Sequence, residues 1–442
     1  MSAKKIFFRT FGCKTNQYDS ALIGQSLEKA GCRPVGDLEQ ADWVVVNTCA
    51  VTKRGEDKAR QWVRKISREL PQTKIAVVGC SVEANGERFA QIEGVRLLLG
   101  TEEKFRLGEV LGRHDNHSEQ QFSESGAVGK RTTYTESSVL EAYPGRARGY
   151  VKIQDGCDNR CTYCIVPLVR GASRSRRVEQ VVEEVAGLER AGHSEAVLTG
   201  IHIGKYGRDL GNGITLANLV ENVLDGTSDI RIRLSSVEVV ELDENLISLV
   251  KNHPRVCRHL HIPLQHGSDS VLERMERHYS AGEYVETVTA ASGRIPGLGL
   301  GTDIIVGFPG ETEQDFIAMV ELVRSLPFSY LHVFPYSPRP GTAAAEMKDH
   351  LPKSVVKQRV TQLRQLSAEK SLRFRQGLEG QRLEVISEVV LGSGVRQCRA
   401  DNYALVYFNC ECPEKKFDII ARGIYEDGVW ADMPECLRGD ER

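Results

Sequence analysis

No run of apolar residues in this sequence approaches the length needed to cross a bilayer. The opening residues, Met1 to Ile6, lead straight into a strand pattern without the apolar stretch of a signal peptide. Charge of one sign is also missing: 58 Lys and Arg oppose 60 Asp and Glu, a formal net charge of −2. That argues against a wholly basic nucleic-acid coat, although local patches stay open. What the chain does have is length and cysteine. Its 442 residues can fill two or three domains, each with a core. Twelve cysteines without an export signal imply a reducing, cytoplasmic setting, where cysteine clusters more often bind metal or do redox chemistry than pair.

The densest cysteine cluster is Gly156-Cys157-Asp158-Asn159-Arg160-Cys161-Thr162-Tyr163-Cys164, directly after the alternating run Tyr150–Gln154. Three thiolates at the spacing C-x-x-x-C-x-x-C can hold three irons of a cubane cluster, which leaves the fourth iron open. S-adenosylmethionine (SAM), chelating through its amino and carboxylate groups, is the obvious candidate for that iron. A structural zinc site would need a fourth ligand, and neither a second C-x-x-C nor an H-x-x-x-H pair follows nearby. A disulfide fits poorly with a chain lacking a secretory signal.

Residues 4–112 alternate strand and helix patterns. Ile6-Phe7-Phe8 leads to Cys13, Trp43–Asn47 to Cys49, and Ile75–Gly79 to Cys80, with helices over Ser20–Ala30 and Glu56–Leu70 between them. A β-α-β-α-β order implies a parallel sheet with right-handed crossovers. Each of the three cysteines falls just past a strand end, the edge where open α/β sheets bind ligands. The spacing favours a second, three-cysteine iron–sulfur site over three inert core thiols. Asp19 and Ser20 read as a cap for the following helix, whereas Asn16 and Gln17 suit either a cap or a site lining.

Residues 113–142 are polar, carry few branched aliphatics and read as an exposed linker, in which His114 and His117 are solvated rather than metal-bound. From 143 to 373 strands and helices alternate six times, which suggests a partial (β/α)6 barrel with its active face at the C-terminal strand ends. Those ends offer Gly200, Ser236, Glu238, Gly307 and Glu311 as candidates to hold SAM. Thr312 reads as a helix N-cap. Arg170, Arg174 and Arg176, with Arg177, form a basic cluster past the cysteine loop that suits an RNA backbone or a SAM carboxylate. His259, His261 and His266 flank one strand; a zinc pair there finds no third partner in the sequence, so structural histidines are expected. Residues 376–440 shift to short alternating strands, a small antiparallel barrel in which Tyr403, Tyr407 and Phe408 are available to RNA. Cys398, Cys410, Cys412 and Cys436 lie in this segment at spacings that read as ordinary thiols rather than zinc ligands.

Around Cys157, Cys161 and Cys164 the chain resembles the radical-SAM enzymes, and over residues 4 to 440 it resembles the methylthiotransferases. The resemblance implies a flavodoxin-like N-terminal domain, a radical-SAM barrel and a C-terminal TRAM domain. It also implies two [4Fe-4S] clusters, an auxiliary one on Cys13, Cys49 and Cys80 and a SAM-binding one on Cys157, Cys161 and Cys164. Members use SAM twice, to methylate sulfur and to make the radical that abstracts hydrogen from an unactivated carbon. The runs Thr10–Ser20, Thr199–Gly207 and Phe328–Ser337 look most like the branch acting on carbon 2 of N6-threonylcarbamoyladenosine beside the tRNA anticodon. Sister branches act on isopentenyladenosine in tRNA or on a ribosomal protein aspartate. In Gln265-His266-Gly267-Ser268-Asp269, His266 stands where the resemblance implies the first serine of Gln-Ser-Gly-Ser-Asp. The alternative from another class is an RNA-binding iron–sulfur protein without catalysis. The electron donor and the sulfur source are not identified by any residue.

Overall fold

The computed structural model describes residues 3–113, 122–124, 128, 134, 139–143, 145–211, 213–392, 394–409 and 415–432. His114, His117, Cys410, Cys412 and Cys436 lie outside them. The chain divides into two compact units. The first is residues 1–140 with Lys152–Arg176 and Ser337–Glu346; the second is Glu141–Val151, Arg177–Tyr336 and Met347–Arg442. The cysteine loop, expected with the middle domain, thus groups with the N-terminal residues. Among the described residues no helix is long and apolar enough to cross a membrane.

The first unit is built on β1 (Lys5–Thr10), β2 (Arg33–Pro34), β3 (Trp43–Thr48), β4 (Lys74–Gly79), β5 (Val95–Leu99) and β6 (Phe122–Glu124). They form one sheet in the order β2-β1-β3-β4-β5-β6, and each pairing is parallel. The first five follow the flavodoxin-like order, whose topological switch lies between β1 and β3. Continuous apolar strands such as β3 belong here because both faces are covered. Trp43 and Val45 pack with Ile23 and Leu27 on one side, while Val44 and Val46 pack with Val63 and Ile66 on the other. β6 lies within the stretch read as a linker. Its three residues pair with Leu97–Leu99, a register that a short polar sequence does not advertise.

In the second unit, β7 (Arg148–Lys152), β10 (Glu195–Thr199) and β11 (Arg231–Leu234) form one three-stranded sheet. A second holds β12 (His259–His261), β13 (Gly299–Val306) and β14 (Tyr330–Pro335). Parallel bridges Ile232–Val256 and Ser236–His261 lead from the first sheet to the second, giving the six-stranded partial barrel expected. Between β7 and β10 the chain makes a small antiparallel ribbon in the first unit, β8 (Gln154–Asp155) with β9 (Arg174–Ser175).

The C-terminal segment closes into a five-stranded barrel of β15 (Arg382–Val390), β16 (Arg396–Ala400), β17 (Leu405–Phe408), β18 (Lys416–Tyr425) and β19 (Gly428–Asp432), consistent with a TRAM domain. It is not wholly antiparallel: β17 and β19 run parallel. Tyr407 and Phe408, expected to face RNA, are 3% and 1% exposed. Tyr403 stacks on His259 of the partial barrel, ring centroids 4.6 Å apart. These aromatics are packing residues, and the RNA expectation for them is corrected. Cys398 is a core thiol of this barrel.

Candidate functional site

Three cysteines meet at the C-terminal edge of the first sheet. Register brings them there, because Thr10 of β1 lies opposite Asn47 of β3, and Thr48 opposite Gly79 of β4. Cys13 is the N-cap of helix Lys14–Lys29, Cys49 follows β3, and Cys80 opens the short helix Cys80–Asn85. Gly12 makes the approach possible. Its φ is +120°, and a Cβ there would stand 2.5 Å from Cys49 Cβ and 3.1 Å from its Sγ. Asn16 ties the loops, donating from Nδ2 to the carbonyls of Phe11 and Thr48, each at 2.9 Å. Cys13 is exposed, while Cys49 and Cys80 are buried.

Burial, then the neighbouring Cys13 and Cys80, push the Cys49 thiol up to about 12, with Arg170 acting the other way. Three soft sulfur donors crowded at one edge resist ionising together unless a cation shares their charge. That donor set fits an iron–sulfur centre.

Beneath the cysteines lies a buried charge network. Asp19 accepts from Lys104 Nζ at 2.5 Å and Lys152 Nζ at 2.7 Å. Arg170 Nη1 donates to both oxygens of Asp155, at 2.8 and 2.9 Å, while its Nη2 reaches Asn16 Oδ1 at 2.9 Å and Asp19 Oδ2 at 3.3 Å. Its Nε donates to Cys80 Sγ at 3.3 Å. Burial alone would raise the carboxyl of Asp19, but Lys104, Lys152 and Arg170 together hold it down at about 2. The helix therefore begins at Lys14, and Asp19 is an internal ion-pair residue rather than its cap.

The basic cluster is likewise inside. Arg170, Arg174 and Arg176 are 2%, 4% and 0% exposed. Arg174 donates to the carbonyls of Arg170 and Ala172 at 2.9 and 3.0 Å, and Arg176 to the Tyr18 hydroxyl at 3.2 Å. Guanidiniums committed to buried partners cannot lie along an RNA backbone, so that expectation is corrected. A run of arginines carries no mark in sequence of which side it faces.

The loop bearing Cys157, Cys161 and Cys164 leaves and re-enters the ribbon of β8 and β9. Gln154 Nε2 donates to the Gly156 carbonyl at 2.7 Å and Ser173 Oγ at 2.8 Å, and the Cys157 amide donates to the Gly171 carbonyl at 3.0 Å. Gly156 has φ +75°, and a Cβ on it would sit 1.9 Å from the Ala172 carbonyl oxygen. Gly156→Ala is therefore expected to displace the loop and lower the iron and acid-labile sulfide bound per chain, with circular dichroism unchanged. Wild-type iron content in the variant would show that the loop tolerates the side chain.

In the second unit, Gly200 directly follows β10 and Ser236 is exposed beside its bridge to His261. Glu238 is taken by an ion pair with Arg277. Glu311 is 4% exposed and accepts from the Gly307 amide at 2.6 Å and Arg359 at 2.6 Å, with His266 at 3.5 Å. A Cβ on Gly307 would meet Val356 Cγ2 at 2.5 Å. Glu238 and Glu311 thus already serve as acceptors for Arg277 and Arg359, and Gly307 packs closely against Val356. His266, in place of serine, brings its Nε2 to 3.5 Å from Glu311. Thr312 is the expected N-cap, in a capping box with Asp315.

The barrel lumen holds a polar chain that the sequence hid. Tyr330 Oη contacts His259 Nε2 at 2.9 Å and His261 Nδ1 at 3.0 Å, and Asp303 Oδ1 lies 3.1 Å from His261 Nε2 and 3.2 Å from His332 Nδ1. The third partner judged missing for His261 is supplied by neighbouring strands, where Asp303 and His332 are register partners. Donor atoms of His261, Asp303 and His332 lie within 4.8 Å of one another, close enough to hold a metal ion.

Comparison with known proteins agrees with this architecture. Residues 5–100 match the uncharacterized protein family UPF0004, and residues 151–323 match the Radical SAM superfamily. The threonylcarbamoyladenosine tRNA methylthiotransferase MtaB of Thermotoga maritima is 36% identical over 437 residues, covering 99% of this chain and 98% of its own. The tRNA-2-methylthio-N(6)-dimethylallyladenosine synthase of Moorella thermoacetica is 38% identical over 401 residues, 88% of each chain. In fold alone, the radical S-adenosylmethionine methyltransferase TsrM from Kitasatospora setae, solved with cobalamin and a [4Fe-4S] cluster, superposes with a TM-score of 0.56. The identity is 15%, over 78% of this chain and 74% of that one. A relative of more than one-third identity, matched nearly end to end, joins the N-terminal sheet and the radical-SAM segment in one protein, and the chain belongs to the radical-SAM tRNA methylthiotransferases.

Proposed function

We propose that this enzyme inserts a methylthio group at carbon 2 of N6-threonylcarbamoyladenosine beside the tRNA anticodon, using two SAM and two iron–sulfur centres. The observation that carries the reading is the second set of cysteines. A radical-SAM enzyme needs Cys157, Cys161 and Cys164, whereas Cys13, Cys49 and Cys80, gathered at one sheet edge, answer the separate need to hold sulfur for transfer. When bound, such centres supply the electron that splits SAM and the site at which sulfur is methylated. The residues then divide the work. Asn16 and Gly12 hold the first three thiols together, Gly156 and Gln154 shape the second loop, and Gly200 and Ser236 remain the candidates to orient SAM at the strand ends.

The choice of nucleoside rests on the Thr10–Ser20 run and on the full-length likeness to the Thermotoga enzyme. The Moorella relative supports a second reading, dimethylallyladenosine, at a similar identity. Nucleoside mass spectrometry of tRNA from cells with and without the gene separates them. Expected is loss of the methylthio-threonylcarbamoyl nucleoside, with its unmodified precursor accumulating. Loss of the dimethylallyl product instead keeps the chemistry and overturns the substrate; unchanged tRNA overturns both nucleoside readings and turns the search to a ribosomal protein aspartate.

A further inference from the structure

Beneath Cys80 lies a network of buried charges. Lys104, Lys152 and Arg170 pair there with the carboxylates of Asp19 and Asp155. All five are buried, at 0%, 0%, 2%, 0% and 9% exposure respectively. A buried guanidinium is costly unless each of its donors meets an acceptor. The side of Arg170 turned away from the carboxylates meets Cys80 Sγ at 3.3 Å. Arg170 thus joins the buried carboxylates to the sulfur side of the three-cysteine site.

The same guanidinium also reaches the other cysteine loop. Both Asp155 oxygens accept from its Nη1, and Asp155 Oδ1 further accepts the Gly156 amide at 2.8 Å, immediately before Cys157. One side chain therefore contacts a thiol of the first set and steers the backbone that opens the second. No lysine could copy this, because the contacts use Nε, Nη1 and Nη2 of a planar fork at once.

We propose that Arg170 is a positioning residue that raises the reduction potential of the centre held by Cys13, Cys49 and Cys80 while fixing the start of the Cys157 loop. The proposal rests on the two-centre reading above. Reduction adds negative charge to a cluster, so a cation hydrogen-bonded to a ligating sulfur stabilises the reduced form more than the oxidised one. Removing that cation lowers the potential.

The test uses the full chain with Cys157, Cys161 and Cys164 changed to Ala, which isolates one centre. Iron and sulfide are counted, then the midpoint is measured by redox titration followed by electron paramagnetic resonance. R170Q is expected to shift the reduced-to-oxidised ratio at fixed potential at least tenfold, about 59 mV more negative for one electron. R170K, keeping charge but losing the fork, should fall between R170Q and the parent. Parental midpoints in both variants, at parental iron content, overturn the role of Arg170 and leave the two-centre reading standing. A triple-Ala parent that holds no iron overturns the two-centre reading itself, and the proposal with it. If R170Q fails to fold or to load iron, R170K decides: a midpoint equal to the parent's overturns the proposal, and a more negative one supports it.

Discussion

Alanine at Cys157, Cys161 and Cys164 is expected to abolish reductive cleavage of SAM, while alanine at Cys13, Cys49 and Cys80 spares cleavage and blocks methylthiolation. The two sets are built differently, which is why their loss should separate. Cys157, Cys161 and Cys164 ride on one loop closed by the β8–β9 ribbon, so its thiols are placed by local geometry. Cys13, Cys49 and Cys80 come from three different strand ends and depend on the sheet register. Cleavage is measured as 5′-deoxyadenosine from anaerobically reconstituted protein with a strong reductant, and methylthiolation by nucleoside mass spectrometry. The expected loss in each affected reaction is complete within detection, since no other ligand stands in for a thiolate. Full methylthiolation by the second set of variants would sink the two-centre assignment. Absence of cleavage in the unaltered protein would favour an iron–sulfur protein that binds RNA without catalysis.

The sequence made the cysteines legible because their information is local. A C-x-x-x-C-x-x-C loop needs no fold to be seen, and a cysteine just past an apolar run shows its strand end directly. The parallel sheet and the alternating barrel were readable for the same reason: buried strands are apolar and their helices are periodic. The capping box at Thr312 and Asp315 also declares itself through spacing. What stayed hidden was pairing at long range. Asp19 looked like a helix cap because its partners, Lys104 and Lys152, lie 85 and 133 residues away. Arg170, Arg174 and Arg176 looked like a basic surface because charge in sequence carries no sign of burial. His261 appeared to lack a third metal partner because Asp303 and His332 reach it only through the barrel. Arg396–Ala400 is polar but for Cys398 and Ala400 and does not advertise a strand; its place between β15 and β17 makes it one. In each case the deciding contact crosses elements, where a pattern along the chain has nothing to report.

The same long-range logic fixes where a single neutral substitution should cost most. Glu195 is fully buried on β10. It accepts from Arg231 Nε at 2.7 Å and from Arg233 Nε and Nη2 at 2.9 and 2.8 Å. Those arginines in turn donate to carbonyls of the C-terminal barrel: Arg231 to Arg399 at 2.8 Å, and Arg233 to Ala400 and Asp401 at 3.0 and 2.8 Å. Glu195→Gln leaves two buried guanidiniums facing a neutral amide and weakens the joint they make with that barrel. Breaking a buried pair from one side costs about 3–5 kcal/mol, so denaturant unfolding should begin at a clearly lower concentration and hydrogen exchange at Arg399–Asp401 should quicken. Acid supplies the control. Burial would raise this carboxyl, but Arg233, Arg231 and Arg148 hold it well below its ordinary value of 4.5. A carboxylate depressed in the folded state stabilises fully above its unfolded pKa, and the contribution fades as pH falls through the folded one. The gap between wild type and variant should therefore be widest near neutrality and narrow below about pH 4.5. A variant that unfolds at the wild-type midpoint, or a gap that persists unchanged into acid, would remove Glu195 as the charge that locks the two barrels together.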